Sequence, residues 1–269
     1  MTTKEFLTMR ILLTVFIFLF SSLSFAAPKS DLWEFWQKNN ESNTATIPHQ
    51  AWDELLKKYL AESGQHNLFD YAGVTTSDKA ALKGYIQNLA SQDPRSYPLK
   101  EQYAYWVNMY NAITVDLILD DYPVKSITKL GGLFSFGPWG EKVVKVAGKD
   151  LTLNDIEHRI LRPIWNDPRT HYAVNCASLG CPNLQTTAFT ADNTEALLEQ
   201  AAQSFVNSDK GVSLNSDGAQ LSSIYEWFVA DFGGNEEGVI AHLKQYRSDL
   251  PLNSSSKIKY DYDWDLNKQ

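Results

Sequence analysis

Apolar and aromatic positions recur every three to four residues through much of the chain, which is the period of an amphipathic helix. This pattern predicts helices over Asp31–Asn40, His49–Glu62, Ser77–Ser91, Pro98–Asp120, Thr152–Pro163, Asp192–Asn207, Ser223–Asp231 and Asn235–Arg247. Alternating or short apolar runs predict strands over Asn67–Val74, Glu141–Val146, Lys149–Leu153, Tyr172–Val174, Gly211–Leu214, Ala219–Ser222 and Lys257–Trp264. Because these strands and helices do not alternate strictly, the order favours a single α+β domain over a doubly wound sheet.

The segment Pro98–Asp120 is apolar on both sides of the predicted helix. Such a helix is buried, so we expect it at the centre of the domain, packed on a mixed or antiparallel sheet and surrounded by other helices. Glu101 and Asn108 fall on one line of this helix, with Asn111 about 60° away. Buried polar groups need partners, and two kinds are open. These side chains either bond to neighbouring backbone or form the floor of a site that faces His171.

The first residues have the pattern of a secretory signal peptide: a basic start, an apolar run over Ile11–Phe20, and small residues up to Ala26. We expect cleavage after Ala26 and a periplasmic or secreted protein without a stable membrane anchor. The apolar run is shorter than the ~20 residues that span a bilayer. The remaining chain divides into an N-terminal helical part, residues 27–96, and a core domain, residues 97–269.

The protein is acidic, and this limits the classes of partner. Its formal net charge is −8, and it becomes −9 once Lys4, Glu5 and Arg10 are removed with the signal peptide. An acidic surface argues against nucleic acid, which attracts lysine and arginine patches. The glycine-rich loop Gly131–Gly140 lacks the pattern of a phosphate-binding loop. We expect no cofactor and no metal, and a partner that is a small molecule, a peptide or a protein.

The densest chemistry lies in Arg169–Leu184, which holds both cysteines of the chain, Cys176 and Cys181. In an exported protein the two can form a structural disulfide that locks the loop. Alternatively, Cys176 is a reactive thiolate with Cys181 as its resolving thiol. A zinc site is disfavoured because the spacing of the cysteines and the nearby histidine is unusual for zinc.

The predicted strand also limits how His171 can act. In an extended strand His171 and Asn175 share a face, whereas Cys176 points the other way. His171 therefore serves Cys176 as a base only if the chain folds back at Asn175. Otherwise we expect it to face Glu101 or Asn108, where His171 and Glu101 would form an acid–base site.

Several ordered motifs resemble one family, the domain of unknown function 547. They are Glu101–Ala112, Leu153–Leu161, Asp167–Pro182, Trp227, Asp231–Gly233 and Tyr262–Asn267. The resemblance runs from about Tyr97 to the C-terminus, and it implies a shared fold and site but no established reaction. Within these motifs we expect the supporting residues of the site: Trp106, Asn111, Arg159, Arg169 and Ser178.

Two functions follow from these patterns. The first is an exported hydrolase or an acyl- or thiol-transferase. Its catalytic residues would be Cys176, His171, Glu101, Asn108 and Asn175. The second is a non-catalytic periplasmic binding module with a Cys176–Cys181 disulfide. A buried helix beside a histidine strand is similar in outline to papain- and transglutaminase-like enzymes, although here no cysteine begins the helix.

Overall fold

The computed structural model of the protein describes residues 28–132, 135–216 and 218–269. The predicted signal peptide, residues 1–26, lies outside them. Among the described residues, no helix is long and apolar enough to cross a membrane.

The described chain is a single α+β domain, as its sequence predicts. Its α-helices are α1 (Gln50–Tyr59), α2 (Thr76–Ser91), α3 (Leu99–Asp121), α4 (Arg162–Trp165), α5 (Thr170–Ala173), α6 (Thr194–Val206), α7 (Ile224–Trp227) and α8 (Glu236–Tyr246). Its strands are β1 (Leu60–Ser63), β2 (His66–Phe69), β3 (Val144–Val146), β4 (Lys149–Leu151), β5 (Val212–Asn215), β6 (Gly218–Ser222) and β7 (Lys257–Asp261). A π-helix spans Asp155–Leu161, and 3₁₀ turns span Glu34–Trp36, Pro94–Ser96 and Ile127–Lys129.

The strands form three small sheets instead of one large one. Two are antiparallel hairpins, β1–β2 and β3–β4. In the third, β5 pairs antiparallel with β6, and β6 pairs parallel with β7. The parallel register joins Ala219 to Ile258 and Leu221 to Tyr260, so the C-terminal segment returns to the middle of the molecule.

Helix α3 is the central buried helix that the sequence predicts, and most of its side chains are shielded from solvent. Its main packing partners are helical: α2, the π-helix and α6. Sheets of two or three short strands cannot cover a 23-residue helix, so neighbouring helices do.

Two predicted elements differ from the structure. The helix predicted over Asp31–Asn40 contains only the 3₁₀ turn Glu34–Trp36. The strand predicted over Tyr172–Val174 is wrong, because Thr170–Ala173 is the short helix α5. Its first turn is set by backbone bonds from Thr170 to Asp167 and from His171 to Pro168. A short buried apolar run has the same composition in a strand and in a helix, so periodicity does not separate them.

The buried apolar side chains form two clusters that meet at α5. The larger surrounds α1, α2 and α3, and the smaller lies between α6, α8 and the β5–β6–β7 sheet. Neighbouring residues of α5 belong to different clusters: Tyr172 packs in the smaller and Ala173 in the larger. The loop that follows α5 therefore leaves from the junction of the two clusters.

Candidate functional site

A cavity of about 550 Å³ opens where the two clusters meet. Its polar wall includes Glu157, His158, His171, Cys176, Cys181 and Tyr262. Its aromatic wall includes Phe136, Trp139, Trp227, Phe228 and Trp264. The cavity thus brings together both cysteines and His171 from the sequence-predicted site.

The cysteine loop is organised by Asn175. Its side-chain oxygen accepts the backbone N–H of Ala177 at 2.8 Å, and its amide donates to the Pro182 carbonyl at 2.8 Å. Asn111 on α3 holds the start of the loop, since it accepts the Asn175 N–H and donates to the Ala173 carbonyl. Asn175 and Asn111 therefore position Cys176 through the backbone and are absent from the cavity wall.

The C-terminal segment clamps the other side of this loop. The backbone N–H of Leu179 donates to Asp265, and that of Gly180 donates to Asp263, both at 2.8 Å. The backbones approach so closely at Gly180 that a Cβ there would lie 2.7 Å from the Asp263 nitrogen. Only glycine fits this contact without displacement, which explains Gly180 in the sequence.

Cys176 is half-buried, and its sulfur has three polar neighbours. They are the Cys181 sulfur at 2.8 Å, the Tyr262 hydroxyl at 2.9 Å and the Ser178 hydroxyl at 3.2 Å. Burial alone would raise the pKa of Cys176, but hydrogen bonds with Cys181, Ser178 and Tyr262 lower it below its usual value. The nearby Glu157 charge opposes this effect. Of the two cysteines, Cys176 is therefore the one that ionises to a thiolate more readily.

Cys181 is the opposite case. It is buried, and burial together with the neighbouring Cys176 raises its pKa well above the usual value. Both cysteines are free thiols in the structure, so the disulfide stays a prediction. The Lys210 ammonium donates to the Cys181 carbonyl at 2.7 Å and to Asn183 at 2.6 Å, which anchors the end of the loop.

His171 does not face Glu101 or Asn108, so that expectation is wrong. Its Nε2 lies 2.7 Å from a carboxylate oxygen of Asp231, and its ring stacks on Phe228 with centroids 4.2 Å apart. The buried Arg162 donates to the same Asp231 oxygen at 2.6 Å. Burial would raise the pKa of Asp231, but hydrogen bonds from His171 and Arg162 hold it well below its usual range.

The second nitrogen of His171 points toward Glu157 on the π-helix. Nδ1 lies 3.8 Å from the Glu157 carboxylate, and His158 Nδ1 lies 3.7 Å from it. A bound water or substrate atom bridges gaps of this size in many proteins. Within the described chain no hydrogen bond joins His171 to Cys176, so they line one cavity without forming a dyad.

The polar groups of α3 take the structural role that the sequence left open. Glu101 accepts the backbone N–H of Ile47 at 3.2 Å. Asn108 bonds to both backbone groups of Phe189, donating at 2.7 Å and accepting at 3.0 Å. Neither side chain reaches the cavity wall. Their placement at the floor of the site is wrong because loops from elsewhere in the chain already satisfy them.

Of the expected supporting residues, only Ser178 contacts a candidate reactive group. Trp106 is buried in the larger cluster, against Trp36 and Tyr105. Arg159 pairs with Asp155, and Arg169 pairs with Asp167 and Glu195, away from the cavity.

The sequence did not predict a role for several residues of the site, although most of them lie in the motifs that resemble the family. They are Glu157, Asp231, Tyr262, Trp227, Phe228 and Trp264. Only their positions in the family motifs could have indicated a role for them. The pairing of His171 with Asp231 could not be predicted locally, because 60 positions separate the two residues. In the described part of the chain, no group of three or more histidine, cysteine or acidic side chains could hold a metal ion.

Comparison with known proteins supports the resemblance. Residues 94–206 match the model of the family described as "Protein of unknown function, DUF547". The matched segment is similar to this family and contains α3, the π-helix and the cysteine loop. The predicted extension of the resemblance beyond residue 206, to Asp231 and Tyr262, stays a prediction. No curated protein and no solved structure matches the chain, so the outline shared with papain- and transglutaminase-like enzymes gains no support.

Proposed function

We propose that the protein is an exported, thiol-dependent hydrolase or acyltransferase in which Cys176 is the nucleophile. One observation carries the proposal: the Cys176 sulfur lies on the wall of a 550 Å³ cavity, within hydrogen-bond distance of Tyr262, Ser178 and Cys181. A half-buried thiol with a lowered pKa beside a substrate-sized cavity is the usual setting of a reactive cysteine.

The proposed reaction begins when the Cys176 thiolate attacks an acyl carbon, forming a C–S bond and an oxyanion. The N–H groups of Ala177, Leu179 and Gly180 are already bonded within the loop and its clamp. The oxyanion is therefore stabilised by the hydroxyl groups of Tyr262 and Ser178. These hydroxyls become available because the sulfur loses its negative charge when the C–S bond forms.

His171 supplies the proton transfers in this scheme. Asp231 orients its ring through Nε2, which leaves Nδ1 directed toward Glu157 and the cavity. The protonated imidazole gives its proton to the departing group as the C–X bond breaks. In the second step the neutral imidazole takes a proton from water or from another acyl acceptor. That molecule attacks the thioester, and Cys176 leaves as a thiolate.

Export rests on the signal-peptide pattern that ends at Ala26. The alternative, a non-catalytic binding module, is favoured by the 2.8 Å separation of the two sulfurs, which places them within reach of a disulfide. In an oxidising compartment such a bond would consume the nucleophile.

The proposal is tested by trapping the acyl-enzyme. Reduced protein is incubated with p-nitrophenyl esters of several acyl groups, and intact mass is measured for the original protein and for His171→Ala. We expect an acyl adduct on Cys176 that accumulates in His171→Ala, because deacylation lacks its base. Ester turnover that is unchanged in Cys176→Ala, with no adduct in either protein, would overturn the proposal.

A further inference from the structure

The aromatic wall of the cavity is continuous and centred on Trp264. Phe136, Trp139, Trp227 and Tyr262 each contact the Trp264 ring, with centroid separations of 5.2, 5.8, 5.7 and 4.6 Å. These rings come from the glycine-rich loop, the end of α7 and the C-terminal segment. Distant parts of the chain thus converge to build one electron-rich surface.

The charges around this surface are negative. Glu157, which is only 6% exposed, lies on the cavity wall, 3.8 Å from His171 Nδ1. The thiolate form of Cys176 adds a second negative charge. Among the cavity-lining residues that the structure describes there is no lysine and no arginine.

The basic side chains nearest to this surface are buried or paired with an acidic group. Arg162 forms an ion pair with Asp231 at 2.6 Å. Burial lowers the pKa of His158. His171 is held by Asp231, whose carboxylate oxygen lies 2.7 Å from Nε2.

From these features we infer that the aromatic wall and Glu157 form a subsite for an ammonium group of the substrate. A cation over the faces of several aromatic rings is attracted by their quadrupoles, and the effect grows when water is excluded. A neutral group of the same shape gains only the apolar contact. The inference rests on the proposed function in one respect: the ligand is the substrate whose acyl carbon meets Cys176.

The test measures binding apart from catalysis. The full processed chain carrying Cys176→Ser is titrated by calorimetry at about pH 8 with choline and with its uncharged carbon isostere, dimethylbutanol. We expect choline to bind about tenfold more tightly than the isostere. Glu157→Gln, which preserves the shape of the side chain and removes its charge, should remove most of that preference.

Two variants separate the aromatic surface from general damage to the fold. Trp264→Leu should weaken choline binding more than binding of the isostere. Trp165→Leu, whose tryptophan packs on Tyr103 away from the cavity wall, should leave both unchanged. Equal affinity for the two probes, or no binding of choline, overturns the subsite. Because Cys176 is absent from this experiment, that result would leave the acyl-enzyme test of the proposed function standing.

Discussion

The hydroxyl of Tyr262 lies 2.9 Å from the sulfur of Cys176, although 86 positions separate the two residues in the chain. Tyr262 follows β7, whose parallel pairing with β6 returns the C-terminal segment to the cysteine loop. The segment then continues past the loop to β2, where Asn267 bonds to Phe69. The last residues of the protein therefore complete the environment of the candidate nucleophile.

Replacing Tyr262 with phenylalanine should make Cys176 less reactive. Tyr262→Phe keeps the ring contacts with Trp227 and Trp264 but removes one donor to the thiolate. A hydrogen bond to a charged group contributes about 1.5–3 kcal/mol, so the pKa of Cys176 should rise by about one to two units. The rate of alkylation as a function of pH measures the pKa of Cys176. Tyr260→Phe on β7 is the matched control. An unchanged pH profile would show that the 2.9 Å contact does not stabilise the thiolate.

Adding a methyl group at Gly180 should separate the loop from its C-terminal clamp. The new Cβ would meet the Asp263 backbone at 2.7 Å. In Gly180→Ala we expect faster hydrogen exchange at residues 177–181 and 263–267, with a loss of stability of about 1–3 kcal/mol. Gly84→Ala is the control because its site in α2 is open. That change should stabilise the protein by about 0.5–1 kcal/mol. Equal effects of the two substitutions would show that the backbone contact between Gly180 and Asp263 does not hold the loop.

The Asp231 carboxylate should make stability depend on acid pH. Its folded-state pKa is held well below the unfolded value of about 3.9, so the ionised group stabilises the fold above that value. The stabilisation is lost as the pH falls toward the folded-state pKa. Asp231→Asn should cost about 2 kcal/mol near neutral pH, because Arg162 stays buried without its anion.

Urea unfolding between neutral pH and about pH 3 measures this effect. The difference between the original protein and Asp231→Asn should shrink as the pH falls through about 4. Asp249→Asn, at an exposed carboxyl, should show little difference at any pH. A difference for Asp231→Asn that stays constant with pH would show that its charge does not stabilise the fold.

The sequence predicted the elements with the clearest periodicity. Helix α3, helix α6 and the two hairpins β3–β4 and β5–β6 lie close to their expected positions. Thr152 and Asp155 exchange capping bonds at the start of the helix that was predicted over Thr152–Pro163. These features depend on neighbours within a few residues, and a local pattern records such neighbours directly.

The parts of the site that the sequence did not predict depend on distant contacts. The strand assigned to Tyr172–Val174 placed His171 on the wrong element and so directed it toward α3 instead of Asp231. Glu101 and Asn108 looked like site residues because their partners, Ile47 and Phe189, lie 54 and 81 positions away. No local pattern distinguishes a buried amide that binds a loop from one that binds a substrate.

The alkylation rate of Cys176 measures the reactivity that the proposed nucleophile requires. Protein taken from its native compartment is labelled with iodoacetamide at about pH 7, before and after reduction, and the labelled residues are identified by mass spectrometry. Cys181→Ser is labelled in parallel. We expect rapid labelling of Cys176 without reduction and slow labelling of Cys181, because only the pKa of Cys176 is lowered. Two cysteines that are blocked until reduction, or a Cys176 that reacts no faster than a free cysteine, would contradict this expectation.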